Sequence, residues 1–256
     1  MSIAIVTGAS IGLGREFARL CANSGYDLVL IARSQAMLEE LAIEIRQATG
    51  RKVRIVVKDL SIAEAPRQAV DELADDIDST EVLINNAGFG LVGRFAELDE
   101  QEQMGMIQLN IVALTDLTRL LLPGMLARHK GKILNIASTA AFQPGPLMAV
   151  YFATKAYVVS FSEALHNELR GSGVTVTALC PGATRTEFDK RAGMGKTKLF
   201  SNAKLMDARK VAEIGMRAMN SGKSLVVAGT LNALMVGATR LAPRQMAASI
   251  ARRMLE

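Results

Sequence analysis

The stretch Ile3-Ala4-Ile5-Val6-Thr7-Gly8-Ala9-Ser10-Ile11-Gly12-Leu13-Gly14 carries a short apolar run straight into three closely spaced glycines. Such a run reads as a buried strand, and residues 12–23 follow with a helical period. Glycine between strand and helix lets the backbone come close to a ligand, and the free N–H groups of a helix N-terminus attract an anion. The spacing Gly-x-x-x-Gly-x-Gly departs from Gly-x-Gly-x-x-Gly, so these residues alone fit either a dinucleotide cradle or a tight strand-to-helix turn.

Outward from this turn, short β-branched runs alternate with longer amphipathic ones. Strands are expected at 27–32, 53–57, 82–85, 132–137, 174–179 and 225–228, and helices at 35–49, 63–76, 99–128 and 149–170. Strands built almost wholly of Val, Ile and Leu are buried on both faces, which implies a parallel sheet covered by helices. Right-handed crossovers make it a doubly wound Rossmann-type α/β sheet of about seven strands. One domain over 1–256 accommodates the whole pattern.

Composition narrows the function. With 50% hydrophobic and 21% charged residues the chain is globular, and its net charge of +5 is scattered, without the basic stripe that binds nucleic acid. Cys21 and Cys180 lie far apart in apolar stretches and read as buried free thiols of a reducing compartment. Neither a secretory leader nor an apolar run of about 20 residues is visible, so a cytoplasmic protein is expected. His129 and His166 have no ligand-spaced Cys or carboxylate, so no metal is expected.

Chemistry concentrates in Tyr151-Phe152-Ala153-Thr154-Lys155, with Ser138 upstream. On a helix, residues four apart share a face, which places the Lys155 ammonium beside the Tyr151 phenol, where a cation lowers the phenol pKa. Ser138 ends a strand, so its hydroxyl reaches a ligand at the sheet edge. After the second strand stand Arg33 and Ser34 where NAD-preferring folds carry an acid, so a 2′-phosphate and hence NADP(H) is expected, with Ser10 and Arg15 assisting. The competing reading of Arg33 is a solvated residue at a helix start.

With the glycine turn, Asn85-Asn86-Ala87-Gly88, Asn110, Ser138, Tyr151, Lys155 and Pro181-Gly182 in this order, residues 1 to about 230 resemble the short-chain dehydrogenase/reductase family. The resemblance implies hydride transfer between NADP(H) and a small-molecule carbonyl or alcohol. It assigns catalysis to Asn110, Ser138, Tyr151 and Lys155. It assigns the cofactor to Gly8, Ser10, Ile11, Gly12, Gly14, Arg33, Ser34, Asp59, Leu60, Asn86, Ala87, Gly88, Tyr151, Lys155, Pro181, Gly182, Thr184 and Thr186. In this pattern Asp59 contacts the adenine, Asn110 holds a kinked helix and a water leading to Lys155, and Lys155 also binds the nicotinamide ribose. Thr184 replaces the usual Val or Ile, and Phe152 is bulkier than the small residue common in the family. A homodimer or homotetramer is implied.

Substrate contacts are expected from Ser138, Tyr151, Phe142, Gln143 and Phe188, with Pro144, Leu147, Met194, Leu199 and Phe200 as further wall candidates. They favour an apolar ketone, aldehyde or acyl ketone, although each apolar residue reads equally as core. The irregular stretch 183–206 reads as a substrate lid or a plain surface excursion. Residues 229–256 form a helical extension in which apolar and basic residues alternate. It reads as a cover for the site or subunit interface, as a basic amphipathic helix on a membrane, or as a solvated tail. Against the carbonyl reductase stand two other classes. One is a non-catalytic NADPH sensor, which should show degraded catalytic positions; the other is a membrane-surface scaffold acting through the tail.

Overall fold

The computed structural model describes residues 2–73, 77–186, 205–239 and 243–255. Seven strands form the central parallel sheet: β1 (Ile3–Thr7), β2 (Asp27–Ala32), β3 (Val53–Val57), β4 (Thr80–Asn85), β5 (Gly131–Ile136), β6 (Val174–Cys180) and β9 (Leu225–Val227). Their order is β3-β2-β1-β4-β5-β6-β9. The chain leaves β1 toward one edge, then returns to β4 on the other side, so the strand order reverses between β1 and β4. A crevice opens at the C-terminal ends of strands at such a switch point. Two residue pairs form a separate short parallel ladder, β7 (Thr184–Arg185) with β8 (Met206–Asp207).

Alternation within each strand divides the core. Ala4, Val6, Leu28 and Leu30 face α1 (Gly12–Asn23) and α2 (Gln35–Thr49), while Ile5, Val29, Ile31 and Leu83 face α3 (Ala65–Asp71) and the helices that follow β4 and β5. After β4 come α4 (Glu100–Ile107), one π-helical turn (Gln108–Ala113) and α5 (Leu114–Ala127). Together they span 28 residues, long and apolar enough to cross a membrane, yet Leu114, Leu117, Leu121 and Met125 are buried against the sheet. After β5, a 3-10 turn (Thr139–Phe142) precedes α6 (Ala149–Glu168).

Two sequence expectations change. The third helix, expected over 63–76, begins at Ala65 and ends at Asp71, and the last expected residues, 74–76, lie outside the described residues. A helix that the alternation omits, α7 (Ala208–Asn220), lies between β8 and β9 and packs on α1. Gly215 permits that approach, because a Cβ there would stand 2.8 Å from Leu179 Cδ2 and 3.2 Å from Phe17 Cε1. The chain ends in α8 (Thr230–Thr239) and α9 (Arg244–Leu255). Cys21 and Cys180 are buried and free.

A buried polar chain crosses the sheet. Asn85 Nδ2 donates to Thr118 Oγ1 at 3.1 Å and to Asn135 Oδ1 at 2.9 Å, and Asn135 Nδ2 donates to Ser162 Oγ at 2.9 Å. This couples α5, β4, β5 and α6 by groups that lose water on burial and must pair with one another. An Asn135→Ala variant leaves Asn85 and Ser162 each short of a partner. A loss of about 2 to 4 kcal/mol in unfolding free energy is expected by urea denaturation.

Candidate active site

The glycine turn owes its shape to close approach. Gly8 has φ +62, and a Cβ on it would lie 2.9 Å from Ala87 Cα. A Cβ on Gly14 would stand 2.1 Å from the Gly8 carbonyl oxygen, so helix α1 can begin here only without a side chain at that position. Asn86 then locks the turn: its Nδ2 donates to the carbonyls of Thr7 at 2.9 Å and Gly8 at 3.1 Å. Thr7 Oγ1 accepts from the N–H groups of Asn86 and Ala87, both at 3.0 Å. Asn86, for which the resemblance implies both a cofactor contact and a bracing role, builds the turn, and the Thr7 hydroxyl is its partner.

The turn suits an anionic dinucleotide. The N-cap of α1 is Ile11, which has no side-chain bond to the first N–H groups, and the first turn carries no acid. Those donors and the positive end of the helix dipole lie beside Ser10 and Gly12. At the end of β2, Ser34 caps α2 without a side-chain hydrogen bond. Beside it Arg33 is 54% exposed in its side chain, with Nη1 3.6 Å from Asp59 Oδ2. Burial works against the Asp59 carboxylate, but hydrogen bonds from Ser61 and the Arg33 charge outweigh it and hold the group below its ordinary range. Leu60 is buried in the core beneath.

Arg15 departs from its expected role. Its Nη2 bonds Glu40 at 2.5 Å and Glu44 at 3.1 Å, and Arg19 grips Glu44 through Nε at 2.7 Å and Nη2 at 2.9 Å. Hydrogen bonds from Arg19, with help from Arg15, hold the Glu44 carboxyl down to about 2. Arg15 therefore ties α1 to α2.

At the ends of β4, β5 and β6 the remaining site residues converge. Ser138 starts the 3-10 turn by accepting from Ala140 N at 3.1 Å, and its hydroxyl hydrogen-bonds the Tyr151 phenol. Lys155 lies one helical turn beyond Tyr151, with Nζ 5.8 Å from the phenol ring centre, donating to Ile136 O at 2.8 Å. Asn110, in the π-helical turn, binds Phe89 backbone in both directions: Oδ1 accepts from N at 3.1 Å and Nδ2 donates to O at 2.9 Å. Its Nδ2 also donates to Thr154 Oγ1 at 3.1 Å. Gly88 fits between Asn110 and Lys155, since a Cβ there would be 2.9 Å from Asn110 Oδ1 and 3.5 Å from Lys155 Nζ.

Pro181 O accepts from Thr139 N at 2.9 Å, and Thr184 Oγ1 donates to Gly182 O at 2.9 Å. Thr186 reaches the glycine turn, where a Cβ on Gly12 would lie 3.1 Å from Thr186 Cβ. Gly182 is covered by Asn232 of α8, whose Nδ2 would be 2.5 Å from a Cβ there. Phe142 is half-buried in a small apolar cluster and Gln143 ends the 3-10 turn. Phe188, Met194, Leu199, Phe200 and most of the expected lid, 187–204, lie outside the described residues. A small apolar recess beside Tyr151 is lined by Leu91, Phe95, Leu98, Met106, Leu147 and Met148, and of these only Leu147 is among the wall candidates expected from sequence. Phe152 lays its ring on Gly145, where a Cβ would stand 2.2 Å from Phe152 Cγ.

The electrostatics differ from the expectation that Lys155 lowers the Tyr151 pKa. Burial pushes the phenol up to about 12 against the pull of the Ser138 hydrogen bond, and burial pushes the Lys155 ammonium down to about 8. Desolvation disfavours whichever form is charged, so the two groups move in opposite directions.

The family described as short chain dehydrogenase matches residues 2–220. A very-long-chain 3-oxoacyl-CoA reductase from Laccaria bicolor is 36% identical over 180 residues, covering 69% of this chain and 53% of that protein. Ketoacyl reductase HetN from Nostoc sp. is 36% identical over 210 residues, covering 78% of this chain and 72% of that one. The matches thus span 53% of the Laccaria bicolor protein and 61% of its counterpart from Anas platyrhynchos. Among solved structures, a short-chain dehydrogenase from Sphingobium yanoikuyae in complex with NADPH superposes with a TM-score of 0.84 at 31% identity, over 94% of this chain and 95% of that one.

The lysine shift sets a pH signature. The unfolded chain keeps its lysine at the ordinary 10.5, so between about pH 8 and 10.5 it holds more protons than the native protein, and stability from this group rises with pH. Lys155→Met removes the contribution. By urea denaturation, its stability relative to the parent should be greatest at pH 8 and below and decline toward pH 10, short of the range where Tyr151 titrates. Parallel curves would contradict the shift.

Proposed function

The chain belongs to the short-chain dehydrogenase/reductase family of NAD(P)-dependent oxidoreductases, and on that premise we propose that it reduces the keto group of an acyl-type substrate with NADP(H). One observation carries the reading: a buried Tyr151 phenol, hydrogen-bonded to Ser138, stands at the sheet edge with Lys155 one turn away.

The residues suited to the cofactor are the glycine turn for the pyrophosphate, Arg33 and Ser34 for the 2′-phosphate, and Lys155 and the Pro181–Thr186 loop for the nicotinamide end. NADPH, when bound, supplies the hydride that the carbonyl carbon gains. Tyr151 gives its proton to the carbonyl oxygen, and a phenol near 12 holds that proton throughout the neutral range. Ser138 donates a hydrogen bond to the same oxygen and stabilises the negative charge that develops there. Lys155, pushed down to about 8, gives up a proton readily and serves to reprotonate Tyr151. Asn110 acts as a positioning residue, fixing Phe89 and Thr154 around Lys155.

The names of the reductases from Laccaria bicolor and Nostoc sp. support a ketoacyl substrate. The recess beside Tyr151, lined by Leu91, Phe95, Met106 and Leu147, holds about 30 Å³, room for a water and not for an acyl chain, so the reading rests on the relatives' names and the Ser138–Tyr151–Lys155 geometry. Every expected catalytic position is intact, which weighs against a sensor without turnover.

The first test measures NADPH and NADH oxidation over 3-oxoacyl thioesters of graded chain length, simple ketones and aldehydes. Turnover with the oxoacyl compounds and NADPH is expected. Tyr151→Phe should lower kcat by about 10²- to 10⁴-fold with NADPH binding little changed. Full activity in that variant would remove Tyr151 as proton donor. Separately, Arg33→Asp should raise the Kd for NADPH about tenfold or more while leaving NADH nearly unaffected, measured by cofactor fluorescence titration. Equal weakening of both would overturn the NADP assignment.

A further inference from the structure

The last two helices expose apolar side chains that the proposed reaction does not use. In α8, Leu231 is 69% and Leu234 is 72% exposed, and Met235 lies beside them. These positions, three and four apart, form one face of a helix with no charged residue, held to the domain through Val236 and Asn232. In α9, Met246, Ile250 and Met254 recur at intervals of four and form an exposed stripe, while Ala247, Ala251 and Leu255 form the buried one. Arg253 is exposed three residues after Ile250, and Arg244 is exposed at the helix start. In the sequence from 229 onward, four arginines, Arg240, Arg244, Arg252 and Arg253, stand against a single acid, Glu256.

We propose that α8 and α9 form a docking surface for an anionic lipid bilayer, with Leu231, Leu234 and Ile250 entering the headgroup boundary and Arg244 and Arg253 meeting lipid phosphates. An uncharged apolar helix followed by one with an apolar stripe edged by arginine has the chemistry of an interfacial segment. A second copy of the chain fits this surface less well. A two-fold contact sets the same patch against itself, and this one offers arginines with almost no acid to receive them. Anionic lipid satisfies both halves, because basic residues gain near a negatively charged leaflet.

The placement connects with the site. Asn232 of α8 lies directly over Gly182, and α8 also packs against the 3-10 turn that Ser138 begins. The α8 part of the surface therefore adjoins the sheet edge where the substrate is proposed to react. A protein docked this way faces the boundary where long-chain lipids present their polar ends.

The test is co-sedimentation of the full chain with phosphatidylcholine vesicles and with vesicles containing about a third phosphatidylglycerol. Binding to the anionic vesicles, weakened at high salt, is expected. A Leu234→Ser/Ile250→Ser variant and an Arg244→Glu/Arg253→Glu variant should each lose about tenfold or more in affinity while retaining the parent circular dichroism and melting temperature. No binding to anionic vesicles, or binding unchanged in both variants, overturns the proposal. A parent that ignores vesicles but sediments as an oligomer, and is split into monomers by Leu234→Ser/Ile250→Ser, would assign the surface to a second copy instead. None of these readouts depends on reductase activity, so either proposal can fail alone.

Discussion

Everything at the C-terminal edge of the sheet depends on how closely the chain after β1 approaches the chain after β4. Asn86 spans that gap by bonding the carbonyls of Thr7 and Gly8, while the Thr7 hydroxyl receives two N–H groups from the opposite side. The contact exists only because Gly8 and Gly14 have no side chains to occupy the space. It fixes where α1 begins and therefore where its uncapped N–H groups point. The loop carrying Thr186 then rests against Gly12, so two stretches of chain more than 170 residues apart form one surface.

A second constraint is the cost of burying polar groups. The Thr118, Asn85, Asn135 and Ser162 chain meets most of it by mutual hydrogen bonding across the sheet, with Asn85 Oδ1 left unpaired. Asn110 satisfies it through Phe89 and Thr154, holding the π-helical turn against α6. Tyr151 and Lys155 meet it differently. Both are buried and both shift toward their neutral forms, the phenol upward and the ammonium downward. Spacing of four on a helix guarantees that the two side chains share a face, but the sign of the pKa shift follows from desolvation, which spacing does not contain.

The same logic explains the division of labour among the arginines near the turn. Arg15 binds Glu40 and Glu44 of α2 through the single nitrogen Nη2. Arg33, with Nη1 3.6 Å from Asp59 Oδ2, keeps more than half of its side chain in solvent. A positive residue near the glycine turn is therefore not equivalent to one whose side chain extends into solvent. Exposed pairs of this kind add little stability, so their effect is on orientation.

The sequence alone determined the alternation of strands and helices, the doubly wound parallel sheet and the constellation of Asn110, Ser138, Tyr151 and Lys155, because continuous apolar strands and ordered motifs are local signals. Helix α7 lies outside the expected alternation although its amphipathic period is plain, with Val211, Ala212, Gly215, Met216 and Met219 buried on one face. Only the tertiary structure revealed that Thr7, Asn135 and Thr154 hold the site together, that Arg15 is committed to α2, and that Leu91, Phe95 and Met106 gather beside Tyr151. Those facts rest on which distant segments meet and which side chains lose water when they do, and neither is written in the order of residues.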